Sequence, residues 1–345
     1  HVEPPTDLKL YLGEAGWYLR DSNWDPDFPT SAQRAAWFVD KEIGRQVDGA
    51  VAINLNFAKR LLEITGPITL PDFEETITAQ NLFERAEYQS ESAFFPGSTN
   101  KKDFLGSLAK ALMDKIKLLD SSSHPQLARA LLKSLEQKDM LVYLPSDSNF
   151  PWNGNISSPS CSSDCLADTL MVVDANVGVN KVNYFLTRNL DLTLDLSQEE
   201  LLHTLSVTYQ NHAQSNTWPA GRYKNFLRFY LSPNSQVQSL SVQGVGEVSD
   251  YSTRFEHGYK VIGTLIQVPI GESRVVTLIY SLPTPSTPSS TYQFHLIKQP
   301  GTSDSLNLVV NSSLPIKSTL LKSSTLPPTL TPQLPLRYNL LLSQD

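Results

Sequence analysis

Leu190-Asp191-Leu192-Thr193-Leu194-Asp195-Leu196 is the stretch on which the fold reading turns. In an extended strand successive side chains point to opposite faces, so this alternation puts every leucine on one side and the polar residues on the other. A helix would scatter the same leucines around its axis. Runs of the same kind follow at Leu205–Tyr209, Phe226–Leu231, Val237–Val242, Gly263–Val268, Arg274–Tyr280, Tyr292–Ile297 and Ser305–Val310. Pro219-Ala220-Gly221, Ser232-Pro233-Asn234, Pro269-Ile270-Gly271 and Pro300-Gly301 separate them as turns. Short strands at this spacing predict an all-β sandwich of immunoglobulin-like size over residues 181–312. Neither cysteine falls in these strands, which excludes the immunoglobulin disulfide.

Toward the N-terminus the hydrophobic period is that of helices. Thr30 or Ser31 caps a predicted helix running to about Ile43, with Gly44 as its stop. Asp48-Gly49 turns into a short strand, Ala50–Ile53, and Asn54 caps a second helix that ends at Gly66-Pro67. Ile68–Leu70 is another short strand, and Thr78 caps a helix through Leu82. Two amphipathic helices follow, at about Lys101–Leu118 and Pro125–Lys138, then buried strands at Met140–Leu144 and Thr169–Val173. Strands interleaved with helices predict an α/β domain with a three-layer, mixed sheet over residues 1–180, with the boundary near Asn180 where the period changes. Residues 313–345, rich in Ser, Thr, Leu and Pro, read as an extended linker or tail.

Composition narrows the function. The 345 residues carry 28 basic and 35 acidic side chains, a net charge of −7, which argues against a nucleic-acid-binding surface. Only 18% are charged and 40% are hydrophobic, enough apolar surface to offset chain entropy. No stretch approaches the ~20 apolar residues of a membrane helix. The chain starts at His1, so any signal peptide or anchor is expected upstream. Cys161 and Cys165 bracket Ser162-Ser163-Asp164 inside a Ser/Pro/Asn-rich loop, Asn153–Asp168, where they form a small disulfide ring, stay reduced, or, without a second Cys or His pair nearby, hold a metal less readily.

The densest polar cluster runs from Arg20 to Thr30. Asp21, Asp25 and Asp27 lie within seven residues, a set able to hold a hard cation such as Mg²⁺, with Asn23 beside them as a ligand contact. Arg20 and Arg34 can grip a phosphate or carboxylate with forked donors. The alternative is that these Asp and Asn residues cap turns while Arg20 forms a structural ion pair. A second candidate, Asp174–Lys181, follows a buried strand and offers Asn176, Asn180 and Lys181 to a polar ligand, or simply turns the chain. Trp218, Tyr223, Phe226, Phe229 and Tyr230 serve as core or as a sugar platform. Phosphate-loop, dinucleotide and nucleophile-elbow motifs are missing, as is any HExxH.

Leu19-Arg20-Asp21-Ser22-Asn23-Trp24, Pro26–Ala32, Val47–Ile53 and Gly66-Pro67-Ile68 resemble the DUF4012 family of bacterial proteins. Asp174-Ala175-Asn176, Asn180-Lys181, Val207–Asn211, Leu227-Arg228-Phe229-Tyr230 and Lys298–Gly301 extend the likeness to most of the chain, about Trp17 to Val310. Members are usually membrane-anchored with an external soluble part, which implies an extracytoplasmic, envelope location with the anchor outside this chain. An Arg-Asp motif, a helix and then Val47–Asn54 with Leu61–Ile68 are also similar in order to the LytR-CpsA-Psr (LCP) phosphotransferases. Those enzymes move glycopolymers from polyprenyl pyrophosphate onto peptidoglycan. That resemblance implies an LCP-like first domain in which Arg20 and Arg34 bind pyrophosphate and Asp21 assists a metal or the acceptor. The segment that should precede the motif is missing from this chain. Two expectations result: magnesium-dependent glycopolymer transfer, or a non-catalytic surface module that binds or scaffolds envelope partners. Convergence of Arg20, Arg34 and a carboxylate on one cavity discriminates between them.

Overall fold

A computed structural model of the protein describes residues 1–91, 100–147, 150–157, 165–196, 200–283, 291–311, 316–318 and 339–343. Its contacts divide the chain into two units, Asp48–Gly154 and a discontinuous unit of His1–Val47 with Asn155–Asp345.

The discontinuous unit opens with α1 (Thr6–Leu12), a 3₁₀ segment (Leu19–Trp24) and α2 (Phe28–Ile43). The cap of α2 is Asp27 rather than Thr30 or Ser31. Its Oδ2 accepts from Thr30 N at 3.0 Å, and Pro29 occupies the first turn, where a missing N–H costs nothing. Gly44, at φ 69°, ends the helix as expected.

In the unit Asp48–Gly154 the chain order is β1 (Ala50–Ile53), α3 (Leu55–Thr65), β2 (Ile68–Leu70), β3 (Glu75–Ile77), α4 (Leu82–Glu91), α5 (Asn100–Lys117), α6 (His124–Glu136) and β4 (Met140–Tyr143). β1 pairs antiparallel with β4, and β2 with β3, as two separate two-stranded sheets. Leu62, Ile68, Leu70, Ile77, Leu82, Phe104 and Leu108 form the unit's buried cluster. Asn54 caps α3 through Phe57 N, as its sequence position predicts. Asp139, 3% exposed, accepts from Asn54, Asn56 and Arg60 of the α3 region, so one buried carboxylate ties that helix to the α6–β4 connection.

The β-rich part contains β5 (Cys165–Asn176), β6 (Leu186–Asp195), β7 (Glu200–Asn211), β8 (Tyr223–Leu231), β9 (Gln236–Val242), β10 (Gly246–Glu247), β11 (Ser252–Glu256), β12 (Tyr259–Val268), β13 (Ser273–Pro283), β14 (Thr291–Ile297), β15 (Ser305–Asn311), β16 (Ile316–Ser318) and β17 (Asn339–Ser343). They form a six-stranded sheet, β10-β9-β13-β7-β6-β15, and a seven-stranded sheet, β11-β12-β8-β5-β14-β17-β16. Pairing is antiparallel except for β14 with β5 and β15 with β6, which makes both sheets mixed. One buried cluster draws Leu192, Leu205 and Leu278 from the first sheet and Leu170, Phe229 and Phe294 from the second. Leu190, Leu192 and Leu194 all point into it.

The seven-stranded sheet is buried on its other face too. Met171, Val173 and Tyr230 join Ile156 in a second cluster there, while Leu170, Val172 and Phe229 serve the first. A strand buried on both faces reads as a continuous apolar run, which is why Thr169–Val173 resembled a strand of an α/β domain. The first 47 residues supply part of the cover. Tyr11 meets Phe226 at 4.9 Å, Trp24 stacks on the same ring at 6.1 Å, and Asp7 pairs with both terminal nitrogens of Arg254. Asp27 Oδ1 accepts from Ile156 N at 3.1 Å. The division expected at Asn180 is therefore replaced by one in which residues 48–154 interrupt a β-rich unit. The strand Thr169–Val173 moves with it, from the first domain into the seven-stranded sheet. Cys161, and with it any Cys161–Cys165 ring, lies outside the described residues, as does most of 313–345, where only β16 and β17 are described. Among the described residues no helix is long and apolar enough to cross a membrane.

Candidate functional site

The outer face of β8 carries Phe226, Arg228 and Tyr230, because Leu227, Phe229 and Leu231 face the inter-sheet core. Over this face lie the 3₁₀ segment and the start of α2, and they leave a cavity of about 520 Å³. Its walls include Trp17, Trp24 and Trp37 from the N-terminal segment. Arg34 on α2, Arg228 on β8, and Arg254 with Glu256 on β11 complete them, together with Asp25.

The guanidinium of Arg34 lies 4.5 Å from the Trp17 ring centre and 5.6 Å from that of Trp37. Arg228 lies 4.7 Å from Trp24, whose other neighbour is the parallel ring of Phe226. Such contacts orient a cation on an aromatic face without neutralising it. Arg228 Nη2 donates to the Trp24 carbonyl at 3.1 Å, and Nη1 reaches the Tyr230 hydroxyl at 3.5 Å. That hydroxyl donates to Glu256 at 2.7 Å, and burial pushes its pKa up so that it stays a donor. Arg228 is 5% exposed and its Nε has no hydrogen-bond partner. Among the described residues neither Arg34 nor Arg228 has an ion-pair partner. Arg254 differs: its bonds with Asp7 raise its pKa and occupy its fork.

The residues singled out in the sequence separate. Arg34 and Asp25 line the cavity; Arg20, Asp21 and Asn23 do not. Arg20 donates to Glu14 at 2.7 Å and to Asp21 at 3.1 Å, and it lies over Tyr18. Burial works against its charge, but these two carboxylates raise its pKa. The convergence of Arg20, Arg34 and a carboxylate is thus replaced by a local ion pair, because Glu14 and Asp21 reach Arg20 first. Asn23 is exposed in the 3₁₀ segment.

The expected Mg²⁺ ligands also have other work. Both oxygens of Asp25 lie 2.9 Å from His257 Nε2, and Oδ1 also accepts from Asp27 N at 2.8 Å. Asp27 accepts from Thr30 N, Thr30 Oγ1 and Ile156 N. These donors satisfy the oxygens a cation would need, and among the described residues no group of three His, Cys, Asp or Glu side chains is arranged to hold a metal ion. The donor set does not fit Mg²⁺.

Asn176 and Asn180 hold a loop rather than face the cavity. Asn176 Nδ2 donates to Asn180 O and Oδ1 and to Asn183 Oδ1, and Asn180 Nδ2 donates to Arg222 O. Gly221, at φ 135°, leaves room for the Asn180 amide; a Cβ there would sit 3.0 Å from Nδ2. Lys181 is exposed, and its backbone N–H donates to Pro219 O. Tyr223, Phe226, Phe229 and Tyr230 are core.

The cavity residues not foreseen include Trp17, Trp37, Arg228, Arg254 and Glu256. One signal was present: Arg228 interrupts a nearly uninterrupted buried strand, where a charge requires a reason. Arg254 and Glu256 join Arg228 because β11 and β8 share a sheet, and Trp17 and Trp37 join them because the N-terminal segment lies over it.

Residues 1–90 match the model of a family described as "Protein of unknown function (DUF4012)". The DUF4012 resemblance is thereby shown, over a narrower stretch than Trp17 to Val310. No curated protein matches the chain. Similar solved structures include a putative nutrient binding protein from Legionella pneumophila, at 9% identity and a TM-score of 0.34, covering 51% of this chain and 71% of that one. Yeast LTA4 hydrolase shares 8% identity at a TM-score of 0.29, over 47% of this chain and 30% of its own. An M1 zinc metallopeptidase from Deinococcus radiodurans shares 14% at 0.26, over 46% and 42%. Likenesses at these scores carry no argument about fold or activity.

Proposed function

We propose that this chain is an extracytoplasmic recognition module of a bacterial envelope protein, binding a surface polymer through the cavity over β8. One observation carries the choice over glycopolymer transfer: Arg34 faces the cavity while Arg20 is spent on Glu14 and Asp21 outside its lining. A transferase working on pyrophosphate needs cations and a metal-binding carboxylate at one point. Here the carboxylates serve as cap and tether. What the cavity offers is indole surface and guanidinium donors, a lining suited to holding a ligand in place. In this reading the two facing sheets act as an immunoglobulin-like sandwich, a scaffold for the cavity, and the helical unit Asp48–Gly154 retains the LCP-like character. The address rests on the DUF4012 match and its usual external placement.

Co-sedimentation with purified bacterial cell walls tests the proposal, using walls with and without their covalently attached anionic polymers. The chain should pellet with intact walls in the presence of a chelator. Trp37→Ala, which removes an indole 38% exposed at the cavity, should weaken binding about fivefold or more. Magnesium-dependent turnover of a polyprenyl-pyrophosphate-linked glycan, abolished by Arg20→Ala, would overturn it.

A further inference from the structure

We infer that Arg34 and Arg228 form a binding site for an oxyanion carried on a saccharide. The inference deepens the recognition reading and rests on it for the carrier, but the oxyanion site stands on its own geometry. A guanidinium has five N–H donors in a planar fork and is always charged. Arg228 is nine-tenths buried, yet its acceptors are one carbonyl at 3.1 Å and one hydroxyl at 3.5 Å, both neutral, and Nε has none. Burying such a charge without a counter-ion is unfavourable, and a folded protein retains it where a ligand supplies the opposite charge.

No carboxylate contacts the Arg228 fork directly, although Asp25 and Glu256 also line the cavity. Asp25 faces His257, Glu256 accepts from Tyr230, and Arg254 is engaged by Asp7. Arg34 reaches the same cavity from α2, stacked on two indoles and without an ion-pair partner among the described residues. One buried and one half-buried fork on different elements suit a carboxylate, sulfate or phosphate group, whose oxygens match paired N–H donors better than a spherical ion does. The cavity, about 520 Å³, is far larger than such a group and is lined in part by the exposed indole of Trp37, which suits a sugar ring bearing it.

Isothermal titration calorimetry of the whole chain at low salt tests this with glucose 6-phosphate, glucuronate, glucose 6-sulfate, inorganic phosphate and neutral glucose. At least one charged sugar should bind more tightly than inorganic phosphate, glucose should give no heat, and added salt should weaken binding. The preferred charged sugar tells phosphate, carboxylate and sulfate carriers apart. Arg34→Met and Arg228→Met should each raise the Kd at least tenfold, while Arg20→Met leaves it unchanged. Should Arg228→Met not fold, Arg34→Met alone decides. Absence of heat with every anion, or an unchanged Kd in Arg34→Met, overturns the site. Oxyanion binding without co-sedimentation on cell walls would leave the site standing and refute only the envelope function.

Discussion

Two strand arginines, almost equally buried, are held in opposite ways. Arg188 on β6 is 7% exposed and sits among carboxylates: Nε and Nη2 each donate to Asp304 at 2.7 Å, and Nη1 donates to Asp174 at 2.7 Å. Asp174 also accepts from Tyr209 and Asn225. Burial opposes the charge of Arg188, but Asp174 and Asp304 raise its pKa well above the ordinary value. Arg228 on β8, 5% exposed, has no such pair among the described residues. The contrast teaches that a buried charge is structural where its neighbours neutralise it and is available for binding where they do not.

The comparison breaks first at Arg188. Arg188→Met would strand two buried carboxylates and should cost about 3–5 kcal/mol, read from the midpoint of urea unfolding. Arg228→Met strands none, so the same measurement should move by about 1 kcal/mol or less, in either direction. Equal losses at the two positions would erase the distinction on which the oxyanion site depends.

A third buried charge sharpens the comparison through pH. Burial alone would raise the Asp168 carboxyl, but His203, at 2.7 Å, and bonds from Tyr292 and Ser232 outweigh it and hold its pKa below the usual value. A carboxyl whose pKa is depressed on folding contributes stability above its unfolded pKa and loses it as pH falls through the folded one. Stability should therefore decline on acidification below the ordinary carboxylate range. Asp168→Asn should flatten that decline and cost about 2–3 kcal/mol at neutral pH, both visible in denaturation curves taken across pH.

Smaller effects belong to the pairs whose arginine is exposed. Arg254→Ala leaves the buried carboxylate of Asp7 without its partner and loosens α1 from β11; because the arginine itself is 38% exposed, the cost should be about 1–3 kcal/mol, with faster proteolysis within the first 47 residues. Arg20→Ala should cost about 0.5 kcal/mol or less, since its side chain is 62% exposed beside Glu14.

The strands were legible wherever one face is wet, because alternation is then written into the residues. Leu190 to Leu194 needed no partner to be read. The same reading placed Thr169–Val173 with the helical segments, since a strand covered on both faces loses its alternation and its sheet is set by distant neighbours. Of the cavity, Arg34 and Asp25 were found from the polar cluster around them, but the same cluster promoted Arg20, Asp21 and Asp27. Local sequence cannot tell a cap or a short-range ion pair from a ligand contact when the residue types are identical.

By itself, then, the sequence determined the local elements of this protein: the strands of period two, the cap of Asn54, the stop at Gly44 and an opening that resembles DUF4012. These depend on residues close in the chain. Only the tertiary structure decided that residues 1–47 belong with the β-rich unit and that Arg34 and Arg228, 194 positions apart, share one cavity. Burial and charge compensation are properties of neighbours in space, and sheet pairing chooses those neighbours.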